Sequence, residues 1–262
     1  MNDNLHTDKT CTDIPKHKKL KLGLALFLLG FTGILSLLTV SIPFPEEALK
    51  IFSPAALKLL SLIQPSVLLL VAVVTGTALY EKVGLSVPTI SSLLKIETPR
   101  IRFFSQFKHG ALFGIAASLL VMIISFIFSS AIPDEPVGNK MELTPIARFC
   151  YGGITEELLM RFGFMTFIVW IVSRITKKLN RATCLTGIVV SALLFALGHF
   201  PVVFVVIPHP TVWLLAYILI GNSIAGIAFG WLYWKKGLES AFVAHVFFHA
   251  VVIISNLIHN YI

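Results

Sequence analysis

Charge is what this sequence has least of. Asp, Glu, Lys and Arg together supply 13% of its 262 residues, against about a quarter in an ordinary soluble domain. Hydrophobic residues supply 56%, which excludes a soluble globular chain and leaves a membrane protein. Cysteine is scarce as well. Cys11, Cys150 and Cys184 stand alone with no Cys-x-x-Cys spacing, so a disulfide scaffold and a thiolate zinc site are both excluded, and the two intramembrane thiols read as ordinary packing. The sequence has no His-Glu-x-x-His and no Gly-x-Ser-x-Gly, which removes the commonest zinc-protease arrangement and the serine elbow.

What is present is a series of uncharged runs, each long enough to cross about 30 Å of hydrocarbon. They lie between Lys21 and Glu46, between Lys58 and Glu81, between Lys108 and Asp134, and beyond Glu239. The longer stretch from Arg181 to Lys235 is divided by Pro208, His209 and Pro210, because proline lacks an amide donor and disfavours helix before it. A further apolar segment, 143–173, carries Arg148, Glu156, Glu157 and Arg161 and is counted as a span. The expected fold is therefore all-α: a polytopic membrane bundle of about seven transmembrane helices.

Lys and Arg set the expected orientation, since cytoplasmic loops are enriched in them. Lys9, Lys16, Lys18, Lys19 and Lys21 precede the first helix. Lys82, Lys95, Arg100, Arg102 and Lys108 follow the second, Arg174, Lys177, Lys178 and Arg181 the fourth, and Lys235 and Lys236 the sixth. The opposite loops hold only Lys50, Lys58 and Lys140, with the acids Glu46, Glu47, Asp134, Glu135 and Glu142. This alternation places the N-terminus in the cytoplasm. It also explains the net charge of +8 as a topology signal facing anionic headgroups, with no nucleic-acid partner implied. The first apolar run lacks a small-residue cleavage site and reads as an anchor.

The expected organisation is a cytoplasmic tail over 1–21, three transmembrane helices with a cytoplasmic loop over 22–142, and four helices over 143–260. The loop after the second helix, with Gly84, Pro88 and Pro99, is expected to lie at the interface. Gly110 with Gly114, Gly152 with Gly153, and Gly226 with Gly230 mark close helix packing.

A charged side chain at mid-bilayer costs about 2.5–3.5 kcal/mol on insertion scales, so it is a functional candidate by default. The fourth helix holds three in six residues. Glu157 and Arg161 are four apart and stack on one face in the favourable order, which reads as a supporting ion pair. Glu156 projects about 100° away on an α-helix and is left without a partner on its own helix. Three histidines also stand in apolar runs: His199 in the fifth helix, expected over 186–207, and His245 and His249 one turn apart in the seventh. Pro201 should kink the fifth helix and open a polar cavity beside His199. Asn222 in the sixth helix either faces that cavity or bonds a neighbouring helix. A carboxylate with two or more imidazoles can polarise water, directly or through a bound metal, and can stabilise the oxyanion formed on an amide carbonyl. Peptide hydrolysis is the natural reaction.

Glu156, Glu157 and Arg161, then Phe195 with His199, then His245 with His249, in this order on late helices, resemble the three motifs of the CAAX protease and bacteriocin-processing family, also called Abi. These are intramembrane proteases that include the Ras-converting endopeptidases. The resemblance covers roughly 143–260. It implies that Glu156 and His199 activate the attacking water, while His245 and the residue four later stabilise the oxyanion. In many relatives that last residue is Asn, whereas here it is His249, which can donate to an oxyanion or ligate a metal. Relatives have been described both as metalloproteases and as glutamate-dependent proteases. Metal use is therefore open, with Glu156, His199, His245 and His249 as the conceivable Zn2+ ligands. The resemblance implies a membrane-embedded or lipid-tethered peptide or protein substrate and a bacterial cytoplasmic membrane. The alternatives are a non-enzymatic bacteriocin-immunity or peptide-binding membrane protein and, further off, a bis-histidine haem protein.

Overall fold

A computed structural model describes residues 15–97, 101–131, 143–207 and 209–261. The tail before Pro15 with Cys11 and Lys9, the loop residues Pro99, Arg100, Asp134, Glu135, Lys140 and Glu142, and Pro208 lie outside the described residues. Among the described residues seven helices are long and apolar enough to cross a membrane: α1 (Lys16–Thr39), α2 (Pro54–Leu79), α3 (Phe103–Ile127), α4 (Pro145–Thr176), α5 (Arg181–Val206), α6 (Val212–Lys236) and α7 (Leu238–Ile258). The protein is an all-α polytopic bundle.

Helix α4 is the axis of the molecule. Helices α1 and α2 pack along one side of it, α7 and α5 along the other, and α3 closes the bundle against α6 and α7. Leu158, Phe162 and Met165 of α4 are fully buried, and so is Arg161, the largest fully buried side chain. Large apolar side chains such as Leu24, Leu28, Phe126 and Ile127 are exposed on the outside. In hydrocarbon they need no protein partner, so close association falls to small residues. The glycine pairs serve that purpose. A Cβ at Gly110 would stand 2.7 Å from the Ser240 carbonyl of α7, and one at Gly226 would stand 2.8 Å from Cβ of Ala192 on α5.

Two helices depart from the regular geometry expected of them. Most of α4 is wound as a π-helix, over Arg148–Glu156 and again over Leu158–Met165. Two side chains follow the wide turn. Thr155 Oγ1 donates to the Cys150 carbonyl and Thr166 Oγ1 to the Arg161 carbonyl, each five residues back. The wider turn makes the angular step between neighbours smaller than the 100° of an α-helix, so Glu156 and Glu157 diverge less than their sequence positions suggest. Helix α5 starts a turn earlier than 186, with the Asn180 side chain accepting from Thr183 N at 3.0 Å. It breaks after Leu197 and resumes at Phe200. Pro201 explains the break, since it has no N–H to offer Leu197 four residues back. His199 sits in the interruption.

The first helix and the loop after α2 meet at one end of the bundle. Lys19 Nζ lies 2.6 Å from Glu81 Oε2, and Lys21 Nζ donates to the Leu94 carbonyl at 3.0 Å. The loop turns at Gly84, whose φ of 70° is left-handed, and forms a short helix over Pro88–Leu93. A buried carboxylate holds that helix down. Glu239, in the first turn of α7, accepts from Ile90 N at 2.8 Å and from Gln106 Nε2 at 2.9 Å. Gln106 Nε2 also reaches the Lys236 carbonyl, and its Oε1 accepts from Thr89.

Candidate active site

The site is assembled where α4, α5 and α7 converge. Glu157 and Arg161 are wholly buried, and Arg161 Nε lies 3.2 Å from Glu157 Oε2. The guanidinium is held between two rings, 4.8 Å from the centroid of Phe195 and 5.6 Å from that of Phe229. Such stacking suits a planar, weakly hydrated cation. The other oxygen of Glu157 is also taken. Oε1 stands 2.8 Å from Nδ1 of His245, which is buried on α7. One carboxylate thus bridges a guanidinium on its own helix and an imidazole on another.

The bridge fixes the chemistry of His245. An ionised carboxylate only accepts hydrogen bonds, so Nδ1 carries the proton and the neutral ring keeps its lone pair on Nε2. That atom lies 3.9 Å from Oε2 of Glu156. The separation is too long for a direct hydrogen bond. Both atoms are acceptors, and a water about 2.8 Å from each would see them at roughly 90°, near the angle between its own two O–H bonds. The Glu156 side chain is 22% exposed, so water has access.

His199 is prepared in the same sense. Its Nδ1 lies 2.9 Å from the Phe195 carbonyl, which can only accept, and Nε2 is again the lone-pair atom. The Phe195 ring stands edge-on to both imidazoles, with centroids 4.8 Å from His199 and 6.0 Å from His245. His249 lies against His245, with ring centroids 4.8 Å apart and planes 23° from parallel. Among the described residues it makes no hydrogen bond, and its buried Nδ1 has no partner. Helix α4 makes room for it with a glycine: a Cβ at Gly152 would stand 2.6 Å from His249 Nε2.

The structure therefore brings Glu156, Glu157, Arg161, His245 and His249 into one contiguous cluster, with His199 joined to it through Phe195. Asn222 donates to the Ile218 carbonyl of its own helix at 2.9 Å. Cys150 and Cys184 are free thiols. Two parts of the site carry no signal as single residues. Gly152 reads from sequence as packing only, and Phe229 as ordinary core. Phe195 is legible from the motif that pairs it with His199 one helical turn later.

A zinc site needs three protein donors converging at about 2.0–2.2 Å from one point. Among the described residues no group of three His, Cys, Asp or Glu side chains meets that arrangement. As placed, Glu156, His199, His245 and His249 do not converge on one such point.

Residues 141–251 match the model of a family described as type II CAAX prenyl endopeptidase Rce1-like. Over this segment the chain is similar to the CAAX prenyl endopeptidases. The matched segment contains Glu156, Glu157, Arg161, His199, His245 and His249, so the family motif and the polar cluster coincide. The family is one of endopeptidases, and the chain is an integral membrane protein with that family's motif region inside its bundle. Neither a curated protein nor a solved structure gives a significant match.

Proposed function

We propose that the protein is an intramembrane endopeptidase that hydrolyses a peptide bond in a membrane-embedded or lipid-tethered protein or peptide. The observation that carries this reading is the facing pair of acceptors, Glu156 Oε2 and His245 Nε2, 3.9 Å apart. A water held between them has both hydrogens engaged and a lone pair free to attack a carbonyl carbon. Glu156 takes one proton as the new C–O bond forms, then returns it to the amide nitrogen as the C–N bond breaks. His199, with its lone pair on Nε2, is the second base, as the family resemblance implies.

The oxyanion needs a donor. The Nδ1–H of His199 is engaged by the Phe195 carbonyl and that of His245 by Glu157. The N–H of His249 is uncommitted and is the donor this reading assigns to the oxyanion. Glu157 and Arg161 act as positioning residues. The lysine- and arginine-rich loops support a cytoplasmic N-terminus, and a bacterial cytoplasmic membrane is the setting we propose.

The test is Glu156→Ala in the full chain, assayed against a membrane-anchored peptide. Cleavage should fall by about 10²- to 10⁴-fold, the range for losing a general base, while the protein still accumulates in the membrane. Retained cleavage would remove Glu156 from the mechanism. Retained peptide binding in a wild type that cleaves no peptide would favour a binding or immunity protein instead.

A further inference from the structure

A second site lies away from the polar cluster, where the end of α4 meets the end of α2. There an open cleft of about 550 Å³ is lined by Lys82, Trp170, Ser173, Arg174, Lys177, Lys178 and Leu179. Four of these seven side chains are cations and none is an acid. Among the described residues none of the four cations pairs with a carboxylate. Glu81, the nearest acid in sequence to Lys82, is taken by Lys19 at 2.6 Å.

Loop cations at the end of a transmembrane helix are ordinarily topology signals splayed into water, and the C-terminal carbonyls of α4 attract positive charge by themselves. Neither explains why these cations gather around a concavity. Lys177 adopts a left-handed φ of 54°, which ends α4, and Lys177 and Lys178 line the cleft together with Arg174. The Arg174 guanidinium lies 5.6 Å over the Trp170 ring. Trp170, one of the lining residues, keeps a buried Nε1 that has no hydrogen-bond partner among the described residues. Trp at the level where an apolar span ends is the usual marker of the headgroup layer. A phosphate in the cleft would neutralise several cations at once, a role for which Arg and Lys are suited.

We propose that this cleft binds a phosphate group, carried by an anionic phospholipid of the adjoining leaflet. Basic pockets between transmembrane helices on the side rich in Lys and Arg take such headgroups. The cleft is built partly from the last turns of α4, so an occupied headgroup site braces the same helix that carries Glu156 and Glu157.

The full chain is purified from discs of equal phosphatidylcholine and phosphatidylglycerol, and retained phosphatidylglycerol is counted by native mass spectrometry. Arg174→Gln with Lys177→Gln and Lys178→Gln should weaken retention by about a hundredfold, as expected for three surface cations. Lys235→Gln with Lys236→Gln, a change of similar sign elsewhere at the same end, should leave it intact. Lys82→Gln with Lys177→Gln gives an independent variant that alters two separate segments. Equal loss in the cleft and control variants would overturn the site, leaving only general attraction to an anionic surface. In a parallel arm, inorganic phosphate is titrated onto protein held in phosphatidylcholine alone while its melting temperature is followed. Stabilisation by phosphate, abolished in the triple variant and without any retained phosphatidylglycerol, would overturn the lipid as the source.

Discussion

His245 Nδ1 donates to Glu157 Oε1 over 2.8 Å, at a place where neither side chain reaches solvent. The bond joins α7 to α4 and decides which nitrogen of His245 faces Glu156. Because the same carboxylate also neutralises Arg161, the two glutamates of the pair are not equivalent, and their substitutions should separate.

Glu157→Ala leaves the Arg161 guanidinium buried and uncompensated between Phe195 and Phe229. Removing one member of a buried pair costs about 3–5 kcal/mol. Thermal unfolding in detergent should show a large drop for Glu157→Ala and a much smaller one for Glu156→Ala. Equal losses would mean that the bridge contributes little to the fold.

Gly152→Ala tests the packing of α4 against the histidines. The added Cβ would meet His249 Nε2 at 2.6 Å, displacing the imidazole. Cleavage should fall more steeply than stability. In a double-mutant cycle with His249→Ala the two changes should be non-additive by about 0.5–3 kcal/mol, as for residues in contact. Simple additivity would show that Gly152 acts elsewhere.

His249→Asn distinguishes a donor from a ligand. An asparagine amide can donate to an oxyanion but is a poor metal ligand, so the variant should retain cleavage and wild-type metal content. Loss of bound zinc together with activity, measured by elemental analysis beside the peptide assay, would establish a metal role for this residue.

Glu239→Ala should cost stability and spare chemistry. It strips Ile90 N and Gln106 Nε2 of a buried acceptor, at about 1–3 kcal/mol for an unsatisfied group. Proteolysis of the loop over Pro88–Leu93 should accelerate, with the turnover of intact protein unchanged. Slower turnover at full occupancy would tie this loop to the reaction.

Much of this architecture is legible in the sequence, because the bilayer imposes it. Uncharged runs locate six of the seven spans, the fourth is read from its apolar pattern in spite of its charges, and Glu156, Glu157 and Arg161 draw attention since nothing in hydrocarbon tolerates them idly. Pro201 announces the interruption that holds His199. The partner of Glu156 is harder to foresee. The family motif pairs it with His199, whereas its carboxylate lies nearest the Nε2 of His245. Glu156 and His245 are 89 apart in sequence, and only the packing of α7 against α4 brings them face to face. Glu239 is invisible for a related reason. As a charge at the edge of an apolar run it reads as a boundary, and only the return of the loop after α2 turns it into a buried acceptor.

The glycines of the first three helices carry a different consequence. Gly30 and Gly33 of α1 touch Leu158 and Thr155, Gly76 of α2 touches Phe162, and Gly110 and Gly114 of α3 touch the backbone of α7. Gly30 also meets Leu69 of α2, but all five approach a helix that lies in the matched segment 141–251. The stretch that carries no recognisable motif is therefore shaped as a mould for the stretch that does. A chimera that joined 141–251 to another protein's leading helices would need small residues at the same heights.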